Sequence, residues 1–69
     1  MFTQTDIIVE MPKLRKFASK LTRNNSEADD LLQSTLLRAL EKADYFQTGT
    51  DLFKWSSKIM YNIFVTEYR

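Results

Sequence analysis

Apolar residues recur along the chain at intervals of three or four, which predicts three helices with one buried face each. In the first helix this face comprises Leu14, Phe17, Ala18 and Leu21. In the second it comprises Ala28, Leu32, Thr35, Leu36, Ala39 and Ala43. In the third it comprises Leu52, Trp55, Ile59, Ile63 and Thr66, widened by Phe53, Met60, Phe64 and Tyr68. No segment alternates with the period of two that strands show, so the predicted fold class is all-α, a compact three-helix bundle.

Residues typical of helix ends set the expected boundaries. We expect Thr5 or Asp6 to cap a short extra N-terminal helical turn before Pro12, because both side chains accept hydrogen bonds from backbone N–H groups. A proline is tolerated only near the start of a helix, so we expect a break near Glu10 and Met11.

Two further helix starts are expected along the chain. Ser26, followed three residues later by Asp29, resembles a capping box, so the second helix is expected to run from Ser26 to about Asp44. A polar stretch then leads to the third helix, which is capped by Thr50 or Asp51.

The composition narrows the class of protein. The 69 residues suffice for one domain, residues 1–69, and a chain of this size buries only roughly 60% of its unfolded surface. The chain has no cysteine and no histidine, which excludes disulfides and the usual zinc sites and removes the commonest general base. We therefore expect no catalytic residue, no metal, no cofactor and no enzymatic activity. No segment resembles a signal peptide or a membrane span, so we expect a soluble, cytoplasmic domain with no membrane partner.

Charge is segregated along the chain although the net charge is only +1. Five cations lie in residues 1–25, and five anions lie in residues 26–45. One interpretation is attraction between packed helices, in which exposed pairs contribute about 0–1 kcal/mol each. The other is an acidic surface for docking a protein. In either case, a net charge of +1 is too small for strong binding of duplex phosphates by the chain alone.

The loop around Gly49 and the aromatic helix after it have chemistry suited to an unpaired base. Trp55 and Asn62 are seven residues apart and therefore share one helix face, and a glycine turn allows close approach of a ligand. An aromatic surface and an amide are groups that hold unpaired bases. However, the Trp55 face coincides with Ile59 and Ile63, so we assign Trp55 to the core.

Four segments together resemble a known family. They are PKLRKFASKLT (residues 12–22), DDLLQSTLLRA (29–39), YFQTGTDLFKW (45–55) and KIMYN (58–62). In this order and at these separations they resemble region 2, the sigma2 domain, of bacterial RNA polymerase sigma factors of the extracytoplasmic-function (ECF) group. The resemblance covers almost the whole chain, and the family's second domain, which binds the promoter −35 element, is absent from the sequence.

The resemblance implies a site for core RNA polymerase on the second helix. In the family this helix docks on a coiled coil of the β′ subunit, and the corresponding residues here are Asp30, Gln33, Ser34, Leu37 and Arg38. Asp30, Gln33 and Leu37 follow one another at intervals of three and four residues, so they form a stripe on the helix that is distinct from the core face. Ser34 stands where the family usually has an acidic residue. Gln33 taken by itself is equally a solvated polar residue.

The resemblance also implies a site for promoter DNA. In the family, the loop at residues 45–51 captures a base flipped out of the non-template strand of the −10 element. The DNA-binding residues implied here are Tyr45, Phe46, Thr48, Gly49, Thr50, Lys54, Lys58, Tyr61 and Asn62. Phe46 matches the loop aromatic, and Lys54 and Lys58 are suited to phosphates. Tyr61 replaces an arginine common in the family and is suited equally to stacking on a base or to lining a protein interface.

The function implied is that of a transcription-initiation domain. It docks on core RNA polymerase and recognises and melts the −10 element by trapping non-template bases. An anti-sigma factor is an expected partner. The alternative is a sigma-like decoy that binds an anti-sigma factor and never contacts DNA, although such a decoy has no need of Phe46, Lys58 and Asn62.

Overall fold

The computed structural model describes residues 1–68 and contains, within them, four α-helices and no strand. The helices are α1 (Gln4–Val9), α2 (Met11–Thr22), α3 (Asn25–Glu41) and α4 (Leu52–Ile63). A 3-10 turn, Ala43–Tyr45, follows α3, and a π-helical turn, Phe64–Tyr68, continues α4. The all-α bundle with a short N-terminal helix is therefore confirmed. No helix in residues 1–68 has the length and apolar character needed to cross a membrane.

Helix α1 begins two or three residues earlier than expected, at a cap formed by Thr3 and not by Thr5 or Asp6. The Thr3 hydroxyl accepts a hydrogen bond from the Asp6 backbone N–H at 3.2 Å, and the Asp6 carboxylate accepts one from the Thr3 N–H at 2.9 Å. Asp6 thus completes a reciprocal capping box as its third helical residue. The expected break is present, since Glu10 ends α1 and precedes α2.

Helix α3 begins after Asn24, so the expected cap at Ser26 is wrong. Arg23 adopts a left-handed conformation with φ of 56°, which reverses the chain so that the cap lies two residues before Ser26. The Asn24 side chain then accepts a hydrogen bond from the Glu27 N–H at 3.0 Å, a role for which asparagine is as suitable as serine. The end of the helix is also earlier than Asp44, because the chain tightens into the 3-10 turn after Glu41.

Helix α4 is capped by Asp51, one of the two residues expected to cap it. The Asp51 carboxylate accepts a hydrogen bond from the Lys54 N–H at 3.2 Å. The Thr50 hydroxyl instead donates to the Gln47 carbonyl at 2.7 Å, inside the preceding loop. The loop and the helix are therefore held by different residues.

The core lies between α2, α3 and α4. The buried residues that these three helices contribute are Leu14 and Ala18 of α2, Ala28, Leu31, Leu32, Thr35 and Ala39 of α3, and Ser56, Met60 and Ile63 of α4. Leu31 is fully buried although it is not among the residues expected on the buried face of α3. The buried centre of α4 is rotated from the expected line, because Thr66 is exposed and Trp55 and Ile59 are only half-buried. The buried hydroxyls of Thr35 and Ser56 donate to the carbonyls four residues before them, at 2.7 Å each.

A single close ion pair joins two helices within residues 1–68. Arg15 Nη2 of α2 lies 2.6 Å from Asp29 Oδ1 of α3, in a charge contact without the alignment of a good hydrogen bond. Both side chains are about half exposed, so the pair contributes little to stability. Attraction between helices therefore accounts for only part of the segregated charge.

Candidate functional site

The segment between the 3-10 turn and α4 forms an exposed turn, which we call the glycine loop (residues 47–51). Gly49 has φ of 96°, a conformation that other residues rarely adopt. A Cβ atom added there would meet nothing within 4 Å, so the glycine is required by the backbone and not by lack of space. The Thr50 N–H donates to the Gln47 carbonyl at 3.2 Å and closes the turn.

One side of the glycine loop borders a cavity of about 410 Å³, which we call the loop groove. It is lined by Tyr45, Gln47, Thr50, Asp51, Lys54, Trp55 and Lys58. Four of the predicted DNA-binding residues therefore lie together: the tyrosine before the loop, a loop threonine and two lysines of α4.

The loop groove combines an aromatic surface with positive charge. Tyr45 is 77% exposed, and Lys54 and Lys58 are exposed one helical turn apart. The half-buried Trp55 lies between the two lysines in sequence and forms part of the wall. Such a groove can stack a base and hold the phosphates beside it. Asp51, which caps α4, is the acidic group in the lining.

Phe46, which was expected to bind DNA as the loop aromatic, does not expose its ring on the surface of the loop. The ring is 8% exposed and packs edge-to-face on Phe2 and Trp55, with centroids 5.6 Å and 5.3 Å away. The 3-10 turn explains this orientation, because it exposes Tyr45 and turns the next residue inward. Tyr45 is thus the exposed aromatic beside the loop.

Thr48 lies on the opposite side of the loop from the loop groove. It lines another cavity, with the side chains of Phe2 and Phe46. Its hydroxyl accepts a hydrogen bond from the Met1 amino group at 3.2 Å. Thr50 borders both cavities and connects the two sides of the loop.

Asn62 lies outside the loop groove, in a third cavity, of about 250 Å³, between α3 and α4, which we call the helix groove. Its lining comprises Arg38, Lys42, Ile59, Asn62, Ile63, Thr66 and Glu67. The Asn62 side chain is exposed, while its backbone carbonyl accepts a hydrogen bond from the Thr66 hydroxyl at 2.8 Å. The amide therefore faces solvent near two cations and one carboxylate.

Two cations link the predicted sites in ways that the sequence did not indicate. Arg38, predicted to contact the polymerase, borders the same cavity as Asn62. Lys42, which was not among the predicted site residues, borders that cavity, and its Nζ lies 5.9 Å from the centroid of the Tyr45 ring. Its spacing, four after Arg38 and three before Tyr45, is the signal that could have identified it.

Tyr61 is exposed and lies three residues after Lys58, on the outer side of α4. It borders neither groove. Its position leaves both expected roles, stacking and protein contact, open.

The predicted polymerase-binding residues lie on the exposed side of α3. Asp30, Gln33, Leu37 and Arg38 are exposed, and Ser34 is half-buried. Leu37 is 66% exposed, so it presents an apolar side chain among the polar residues on this side of α3. The core residues of α3 lie on the other side, so the helix has two distinct faces, as expected.

No group of three or more histidine, cysteine, aspartate or glutamate residues within the described part of the chain could hold a metal ion.

Comparison with known proteins identifies relatives. Residues 8–69 match the family described as Sigma-70 region 2. The ECF RNA polymerase sigma factor EcfG of Rhodopseudomonas palustris (strain TIE-1) is 48% identical over 64 residues, which is 93% of this chain and 35% of that relative. The chain thus spans about a third of the length of the curated relative it matches. No solved structure gave a significant match.

Proposed function

This chain belongs to the Sigma-70 region 2 family, as a sigma2 domain of the ECF group, and from that premise we propose that it acts in transcription initiation. It docks on core RNA polymerase through α3 and captures unpaired bases of the promoter −10 element at the glycine loop. It acts by binding alone and makes or breaks no covalent bond.

The observation that carries this proposal is the loop groove. The fold brings Tyr45, Thr50, Lys54 and Lys58 to one cavity beside a turn whose backbone is exposed. These residues come from the 3-10 turn, the loop and α4, so only the folded chain creates the arrangement. An exposed aromatic ring flanked by ammonium groups suits a single strand with its bases unstacked.

The energetics favour an unpaired strand over a duplex. Extruding a base costs a few kcal/mol, and stacking on an aromatic side chain returns about 1–3 kcal/mol per base. Two lysines of the loop groove add phosphate contacts, whereas the net charge of the chain is only +1. We infer that the polymerase supplies the remaining positive field and that the domain selects bases already being unpaired.

The exposed face of α3 is the proposed contact with the β′ coiled coil. Leu37 offers an apolar anchor, and Gln33 and Asp30 offer polar groups one turn and two turns before it, respectively. Apolar anchors surrounded by polar groups are typical of protein interfaces. The same face is the proposed site at which an anti-sigma factor competes with the polymerase.

The proposal is tested by fluorescence anisotropy with single-stranded −10 oligonucleotides in which one base at a time is changed. The measurement is made with the chain alone and with the chain bound to core polymerase. We expect binding that depends on base identity, strengthened by polymerase, and weaker binding of the same sequence as a closed duplex. Polymerase binding without any dependence on base identity would contradict the DNA-capture role and support the decoy alternative.

A further inference from the structure

The ring of Phe2 completes an aromatic triad beneath the glycine loop. Its centroid lies 5.6 Å from that of Phe46 and 5.4 Å from that of Trp55, with interplanar angles of 80° and 65°. The Phe46 and Trp55 rings are themselves 5.3 Å apart. All three contacts have the edge-to-face geometry that aromatic rings prefer. Phe2 is only 6% exposed, so it is held as firmly as a core residue.

The three rings enclose the two ends of the loop. Phe46 directly precedes the glycine loop, and Trp55 lies in the first turn of α4, directly after it. Phe2 comes from the other end of the chain and contacts both. Within the loop, the turn is closed by the contacts of Thr50 with Gln47, and Thr48 accepts a hydrogen bond from the Met1 amino group. The shape of the loop therefore depends on how its two ends are held, and Phe2 is the residue that holds them from below.

The segment before α1 is itself fixed in place. The Met1 amino group donates to the Phe46 carbonyl at 3.2 Å as well as to Thr48, and the Thr3–Asp6 capping box fixes the other side of Phe2. The residues matched by the family begin at position 8, so Phe2 lies outside them. Its contact with the loop is a feature that the family match does not assign.

We propose that Phe2 is a positioning residue for the glycine loop. Its ring sets the separation of Phe46 and Trp55 and so holds the loop in the shape that presents Tyr45 and Thr50 to an unpaired nucleotide. Phe2 does not border the loop groove and acts only through the other two rings. The inference rests on the proposed function for its effect on DNA, but its effect on the loop can be measured without DNA.

The test compares Phe2→Ala, Phe2→Leu and the control Leu21→Ala. Leu21 is a half-buried residue at the end of α2 that adjoins the start of α3. The 17 residues of α3 separate that end of the bundle from the loop by about 25 Å, at 1.5 Å per residue. The control therefore destabilises the bundle without touching the triad.

Three quantities are measured for each variant. The first is amide hydrogen exchange of Phe46 and Thr50, whose N–H groups bond to the carbonyls of Ala43 and Gln47. The second is quenching of Trp55 fluorescence by acrylamide, which is assignable because the chain has one tryptophan. The third is affinity for the single-stranded −10 oligonucleotide, corrected for the folded fraction obtained from thermal melting.

Phe2→Ala is expected to speed exchange at Phe46 and Thr50 about ten-fold relative to the amides of α2 and α3, because two aromatic contacts are lost. It should also expose Trp55 to quencher and weaken oligonucleotide binding about five-fold or more, since each base contact depends on the loop shape. Phe2→Leu should recover part of each effect. Leu21→Ala should lower the melting temperature yet leave loop exchange, quenching and corrected affinity as in the unmodified chain.

Two results would overturn the inference. One is an unchanged rate of loop hydrogen exchange in Phe2→Ala. The other is that Phe2→Ala and Leu21→Ala lose loop protection and oligonucleotide affinity only in proportion to the unfolded fraction of each variant. Failure of the unmodified chain to bind any oligonucleotide would instead count against the proposed function. In that case the exchange and quenching measurements still decide whether Phe2 positions the loop.

Discussion

The edge of the Phe46 ring meets the indole of Trp55 at a centroid distance of 5.3 Å and an interplanar angle of 66°. This contact joins the two ends of the glycine loop across its base. Two neighbouring aromatic residues therefore differ in their surroundings: Phe46 is 8% exposed and belongs to the core, whereas Tyr45 is 77% exposed. Because Phe46 is buried and Tyr45 is exposed, we expect removal of the Phe46 ring to lower stability and removal of the Tyr45 ring to weaken DNA binding instead.

Phe46→Ala is expected to lower the free energy of unfolding by about 3–5 kcal/mol, the usual cost of removing a buried phenylalanine ring. A loss of this size is a large part of the stability of a 69-residue chain. Chemical denaturation followed by circular dichroism measures it.

The matched control is Tyr45→Ala, which removes an exposed ring of similar size one residue earlier. It should change the free energy of unfolding by less than about 0.5 kcal/mol. It should nevertheless weaken capture of the −10 oligonucleotide by about 1–3 kcal/mol. Equal stability of the two variants would contradict the assignment of Phe46 to the core.

The sequence was sufficient to predict the helices, and each feature that it missed has a specific physical cause. Apolar periodicity identified α2, α3 and α4, and Pro12 identified the break after α1. The same periodicity could not predict that Phe46 turns inward, because that depends on a 3-10 turn and on Phe2, which is distant in sequence. It also could not show that Asn24, and not the expected Ser26, caps α3, since both side chains are good acceptors.

The site was predictable where its residues follow helical spacing. Lys54 and Lys58 are four residues apart on one helix, and they do line one cavity together. The separation of Asn62 from the predicted DNA-binding residues of the loop groove depends on how α3 packs against α4. That packing brings Arg38 beside Asn62, residues that the sequence placed in different sites.

Lys54→Ala and Lys58→Ala are expected to reduce the salt dependence of oligonucleotide binding. Each lysine that contacts a phosphate of a single strand contributes about 0.7 to the slope of log K against log salt concentration. Binding measured over a range of salt concentrations should therefore give a slope smaller by that amount for each variant. Lys20→Ala, which removes an exposed lysine from α2, is the control and should leave the slope unchanged.

Asp30→Arg combined with Gln33→Ala should weaken association with core polymerase while the free domain stays folded. Both residues are exposed on α3, so the cost to the free energy of unfolding should be within about 0.5 kcal/mol. A reversed charge in a complementary interface is unfavourable and typically also slows association. Surface plasmon resonance with immobilised core polymerase measures the affinity and both rates.

Asp44→Arg provides the control for this pair, because it makes the same charge reversal on an exposed acidic residue in the 3-10 turn. It should leave polymerase affinity near that of the unmodified chain. Equal losses for the two substitutions would indicate a general effect of charge and would remove the support for docking through Asp30 and Gln33.

Asn62→Ala should change base discrimination and not overall affinity for the strand. The exposed amide offers both a donor and an acceptor to a base edge, so its loss should reduce the preference at one position of the −10 sequence. The free energy of unfolding should change by no more than about 0.7 kcal/mol, because alanine is a good helix former and the Asn62 side chain is exposed.

Thr66→Ala, in the same groove, is the control, because it removes a hydroxyl already bonded to the Asn62 carbonyl and should leave the base preference intact. Anisotropy with the single-base oligonucleotide series measures both variants. A uniform loss across all oligonucleotides in Asn62→Ala would mean that the amide contacts the backbone of the strand, and an unchanged profile would place base recognition in the loop groove alone.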